Sequence, residues 1–141
     1  MILAELTSDL VGKSYKLGDV DCARLILEVA KRSGIPLSEE WEGFTPENYA
    51  ELYERDPEEA QQVLICWVTS IGTEIPGCKA FAGDVLIART INGSVLSVLL
   101  HAGQDQAMIV NEKRGVTMVP LRAYEIVKAF RWRPKRRRRI R

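Results

Sequence analysis

The sequence predicts an α+β domain in which helices pack on an antiparallel sheet. Three observations carry that expectation. Apolar residues recur at helical spacing through the first half of the chain, β-branched runs replace them from Gly83 onward, and turn signals separate those runs so closely that neighbours must pair antiparallel.

Taken in order, residues 1 to 11 form a short apolar stretch compatible with a helix. From Asp21 to Arg32 the residues Cys22, Leu25, Ile26, Val29 and Ala30 fall at i, i+3, i+4, i+7 and i+8, the stripe of an amphipathic helix. Asp21 is a good N-cap for it, and Gly34 and Pro36 close it. A loop with Trp41 and Phe44 follows, then Pro46 opens a helix to about Tyr53 and Pro57 a longer one to about Ile71. "GDVLIAR", Gly83 to Arg89, reads as a strand; "NGS" at Asn92 to Ser94 is a hairpin signal, and "VLSVLLHA" is the returning strand. A second turn at "GQDQ" leads into "AMIVN", and "GVTMV" and "AYEIVKAFRW" supply the last strands, with Pro120 between them. The expected sheet is a meander, and the helix bearing Cys22 is the one expected to lie across it.

At 141 residues the chain suits one domain large enough to bury about two-thirds of its unfolded surface. Glu5 and Asp9 interrupt the N-terminal apolar stretch, which therefore lacks the pattern of a secretory signal, and no window reaches the roughly 18 apolar residues of a membrane span. The expected place of synthesis is a cytosol. Three cysteines, Cys22, Cys66 and Cys78, contain no C-x-x-C pair, so a disulfide framework is not indicated. A metal site from all three with His101 is the alternative, against spacings far wider than ligand pairs normally have; Cys66 reads as a core residue. No cofactor is expected.

The net charge of +1 conceals an asymmetry. From Arg131 to Arg141, "RWRPKRRRRIR", stand eight basic residues and no acid, leaving twelve basic and nineteen acidic residues in the other 130, a formal −7. The expected division is a folded domain over residues 1–133 and a basic arm over 134–141. Such an arm is either a solvated extension or an anchor for an acidic protein groove, nucleic acid or anionic lipid. The body lacks the basic, aromatic-studded face of a dedicated nucleic-acid reader.

Cys22 admits two readings. At the first turn of a helix, unpaired N–H groups and the positive end of the dipole favour a thiolate, while Asp19 and Asp21 oppose it by charge repulsion. The same position lies on the apolar stripe, where a cysteine is a small core residue.

"GKSYKLGDVDCARLILEVAKRSGIPL" closely resembles the opening of the NlpC-type cell-wall cysteine peptidases, which have a compact papain-like α+β fold. In that family a Tyr in a short loop precedes an Asp-Cys pair at the start of the central helix; here Tyr15, Asp21 and Cys22 stand in those positions. "GDVLIAR" resembles the family's first sheet strand, entered through Gly83 and Asp84, and "GVTMVPL" its closing strand. The resemblance spans residues 11 to about 120. Small single-domain members without a secretion signal occur in phage tail tips, and this chain looks like one of those.

The resemblance implies hydrolysis of a peptide bond in the peptidoglycan stem, with Cys22 as nucleophile, Tyr15 lining the site, a His on the second strand moving the proton and a polar residue on the next strand orienting that His. The only histidine is His101. Counting without a gap, the family's His position falls on Ser97, four residues and about 13 Å short of His101 along a strand. The third polar position falls near Val110. If Gln104 and Asp105 centre the turn, Asn111 lies opposite Val98 and His101 points to the other face.

The expectation is therefore a structural or assembly component of a phage tail tip, carried in the virion tail, on a peptidase fold with an incomplete triad. Its partners are other tail proteins through the arm, and peptidoglycan. The alternatives are an active peptidoglycan endopeptidase using Cys22 and His101, and a nucleic-acid-binding module acting through the arm.

Overall fold

The structure, a computed structural model, describes residues 7–16, 20–111 and 113–132, apart from the side chain at position 111. The expected N-terminal helix thus falls partly outside the described residues, as do Asp19 and the whole arm 134–141; residues 7–12 form turns.

Among the described residues three helices precede the sheet: α1 (Cys22–Arg32), α2 (Pro46–Arg55) and α3 (Pro57–Thr69). Each begins where a capping residue satisfies orphan N–H groups. The Asp21 carboxylate accepts from the Arg24 N–H at 2.9 Å, Thr45 and Asn48 form a reciprocal capping box, and Asp56 accepts from Glu59 N–H. Along α1, Leu25, Ile26, Val29 and Ala30 are buried as the periodicity predicts, joined by Ala23 and Leu27, while Cys22 is half-buried.

The expectation of a core position for Cys66 is overturned, since it is exposed. Ala60, Leu64, Trp67 and Val68 are the buried residues of α3, and their i, i+4, i+7, i+8 spacing turns residue 66 outward. Trp67 anchors that helix. It is fully buried, its ring lies 5.3 Å from that of Phe44, and its indole N–H donates to the Ser38 carbonyl.

Six antiparallel strands follow: β1 (Thr73–Ile75), β2 (Val85–Thr90), β3 (Ser97–Gly103), β4 (Gln106–Asn111), β5 (Gly115–Pro120) and β6 (Tyr124–Arg131). Their spatial order is β1-β6-β2-β3-β4-β5. The expected meander holds from β2 to β5 and fails at β6, which returns across the sheet to pair with both β2 and β1. The three-residue β1 is an element the sequence did not suggest.

The sheet has two buried faces. Val85, Ile87, Val98, Leu100 and Met108 point to the helices and share their core, with Cys22 packed against it. Leu86, Ala88, Leu99, Ala107 and Ala129 form a second cluster on the outer face, under Ala80, Leu121 and Ile126. Burial on both sides explains why β2 is a continuous apolar run and not an alternating one.

The β3–β4 hairpin turns through Gln104 and Asp105, both at positive φ, and pairs Gly103 with Gln106 as expected. A bulge between His101 and Gly103 then shifts the register by one, giving His101↔Ala107 and Leu100↔Met108. Carried along the strand, this offset sets Val98 against Val110, which corrects the expected pairing of Val98 with Asn111.

Candidate active site

A cavity of about 320 Å³ opens at the end of the sheet where β3 and β6 begin and β4 ends. Three residues singled out from the sequence line it: Tyr15, Cys22 and Ser97.

Cys22 is delivered by the capped start of α1, where Asp21, itself fully buried, fixes the first turn. Tyr15 is delivered by the segment before it, which is pinned to β5 by hydrogen bonds from Gly12 N–H to the Val116 carbonyl and from Val116 N–H to the Lys13 carbonyl. That close approach requires Gly115, whose φ is +70° and whose position would drive a Cβ into the Lys13 backbone. Ser97 opens β3.

The β3 residue that joins the helix-side core near the thiol is Val98, and Val110 of β4 lines the same cavity. Both are apolar.

His101 is elsewhere. It follows Leu99 by two residues and so shares the outer face of the sheet, on the far side from Cys22. It also sits toward the opposite end of β3, in a second cavity of about 430 Å³ with Cys78, Asp105 and Arg122. The structure does not bring Cys22 and His101 together.

The imidazole's own bonds suit this placement. It is 8% exposed, and its Nδ1 accepts from the Gly103 N–H at 3.0 Å, closing the bulge. An accepting Nδ1 leaves the proton of the neutral ring on Nε2, so neither nitrogen has a free lone pair for a proton. Burial lowers the pKa of His101, against the opposing charges of Asp84 and Asp105. The histidine is thus a neutral group engaged with its own strand.

The end of the sheet bearing His101 is held by an ion pair that the sequence did not single out. Asp84 is buried, and Arg131 meets it in a bidentate fork, Nε to Oδ1 at 3.1 Å and Nη2 to Oδ2 at 3.0 Å. The guanidinium also stacks over Phe81 at 3.9 Å. Arg131, counted from the sequence with the basic run, therefore belongs to the folded domain.

Sequence reasoning also passed over the rest of the cavity wall. Tyr49 and Tyr53 of α2 and Tyr124 of β6 join Tyr15, so that all four tyrosines of the chain line this one space. The i, i+4 spacing of Tyr49 and Tyr53 was a legible signal that they share a helix face; nothing local marked Tyr124. Burial pushes the Tyr49 hydroxyl well above the usual phenol range, and the neighbouring Cys22 and Asp21 add to the shift. It remains a hydrogen-bond donor at any ordinary pH.

Among the described residues no group of three or more His, Cys, Asp or Glu side chains is placed to hold a metal ion, and no helix is long and apolar enough to cross a membrane.

The architecture of three helices on a six-stranded antiparallel sheet is the papain-like α+β fold of NlpC/p60 domains. Among solved structures the chain is similar to the NlpC/p60 domain of the peptidoglycan hydrolase SagA, with a TM-score of 0.57 over 92% of this chain and 95% of that one, at 18% sequence identity. At that identity the likeness establishes the fold. No protein-family model matches the sequence, and no curated protein matches it.

Proposed function

We propose that this chain is a non-hydrolysing domain on the NlpC/p60 fold, serving as a structural or assembly component of a phage tail tip. The observation that carries the first half of this reading is the position of its only histidine, on the opposite face of the sheet from Cys22 and with Nδ1 already bonded. A thiol peptidase needs an imidazole within about 3 to 4 Å of sulfur to take and return the proton. Val98 and Val110, both apolar, line the cavity that holds the thiol.

The tail-tip placement is supported by the resemblance of residues 11 to 120 to small members of that kind and by the charge asymmetry of the chain. In this reading the protein is made in the host cytoplasm and carried in the virion tail. Residues 134–141 act as an arm that docks on an acidic surface of a neighbouring tail subunit. Peptidoglycan, the polymer acted on by the similar hydrolase, is a surface the domain meets without cutting.

A second reading, an active endopeptidase, is favoured by one observation: Cys22 and Tyr15 share a cavity. The deciding experiment incubates the purified chain with cross-linked peptidoglycan fragments and follows stem-peptide cleavage, with Cys22→Ser and His101→Ala as controls. The expected result is no turnover above the Cys22→Ser background. Turnover abolished by both substitutions overturns the proposal and restores the Cys22–His101 dyad.

A further inference from the structure

The cavity beside Cys22 has a composition that peptide hydrolysis does not explain. Its aromatic wall is assembled from three separate parts of the chain: Tyr15 before α1, Tyr49 and Tyr53 on α2, and Tyr124 at the start of β6. The Tyr49 and Tyr53 rings lie 5.8 Å apart at 37°.

Among the described residues that line the cavity, the charge has one sign. Among the described residues no Lys, Arg or His lines the cavity, while Glu58 does. Helix starts normally present half a positive charge, but both helix starts that reach this space carry acids: Asp21 caps α1, and Asp56, Glu58 and Glu59 stand at the start of α3. Acids at these starts offset the dipoles that would otherwise favour an anion. A space walled by aromatic rings and hydrocarbon, with a carboxylate among its lining residues, suits a cation whose charge is spread over alkyl groups. The ring quadrupoles attract the charge, and the apolar wall covers the methyl groups at little desolvation cost. At about 320 Å³ the space is at the small end of ligand pockets.

We propose that this cavity is a binding site for an alkylated ammonium group. The inference goes beyond the proposed assembly role and does not depend on it, because neither the thiol's reactivity nor the arm enters the argument.

The test is isothermal titration calorimetry of the full chain with choline chloride and, in parallel, with 3,3-dimethylbutan-1-ol, its neutral isostere carrying carbon in place of nitrogen. Choline should bind at least about tenfold more tightly than the alcohol, the gap a desolvated cation–π contact supports. Tyr53→Leu should weaken choline by roughly 2- to 30-fold, whereas Tyr53→Phe, which keeps the ring, should hold affinity within about twofold. Glu58→Gln, at an exposed position where folding is not at stake, should weaken it as well. Equal affinity for choline and the alcohol, the absence of choline binding in the millimolar range, or equal losses in the Leu and Phe variants would overturn the proposal. Choline binding that survives Cys22→Ser supports it, whatever the outcome with peptidoglycan.

Discussion

Removing the imidazole of His101 should leave the reactivity of Cys22 unchanged. Ser97 lines the Cys22 cavity, and His101 lies four residues further along β3, about 13 Å at ~3.3 Å per residue. His101 also faces the other side of the sheet, which brings the separation from the thiol above roughly 15 Å. At that distance a full positive charge on the ring would stabilise a thiolate by only about 0.3 kcal/mol in a water-like medium, or ~0.2 pH unit in the thiol's titration. Salt with a Debye length of about 8 Å reduces even that. A bonded imidazolium in a thiol peptidase shifts the same titration by several units. The assay is the pH dependence of iodoacetamide alkylation in a Cys66→Ser/Cys78→Ser background, because both of those thiols are exposed and would otherwise dominate the signal. His101→Ala should move the midpoint by no more than about 0.2 unit. A rise of about one unit or more would refute the reasoning, since it requires the ring to sit against the sulfur.

Other consequences follow from the same geometry. Arg131→Met strips the buried Asp84 carboxylate of its guanidinium while leaving the Phe81 N–H bond; because the arginine is 28% exposed, the cost should be about 2–3 kcal/mol, below that of a fully buried pair, seen as a melting temperature lower by roughly 6–10 °C. An unchanged melting temperature would show that water replaces the pair without loss. The pKa of His101 is lowered in the fold, so its neutral form stabilises the domain above the unfolded value of about 6.5, and that contribution is lost as pH falls below it. Wild type should thus lose more thermal stability between about pH 7.5 and 5 than His101→Gln does, with Asp84 and Asp105 limiting the difference. Deleting residues 134–141 should leave the melting temperature of the domain nearly unchanged while weakening assembly. The full chain's assembly should fall with rising salt, the deleted form's far less; an equal loss of domain stability would mean the arm is a folded element.

The local features of this protein were legible in its residues. The stripe from Cys22 to Ala30, the cap at Asp21, the helix-opening Pro46, and the β-branched runs with their turns each act over a few residues, and the helices and five of the six strands stand close to where those patterns put them. The motif around Tyr15, Asp21 and Cys22 likewise marked one end of the cavity, because the chain carries those residues there within one loop and one helical turn. What tertiary structure alone decided was non-local. β6 crosses to pair with β2 because the sheet's open edge, and not chain order, offers it partners, and that crossing brings Tyr124 to the cavity and Arg131 to Asp84. A single bulged residue between His101 and Gly103 set the register of β3 on β4, and a two-residue alternation turned the only imidazole to the outer face. Sequence spacing places a side chain along a strand; only the stacking of helices on one face decides which residues meet the thiol.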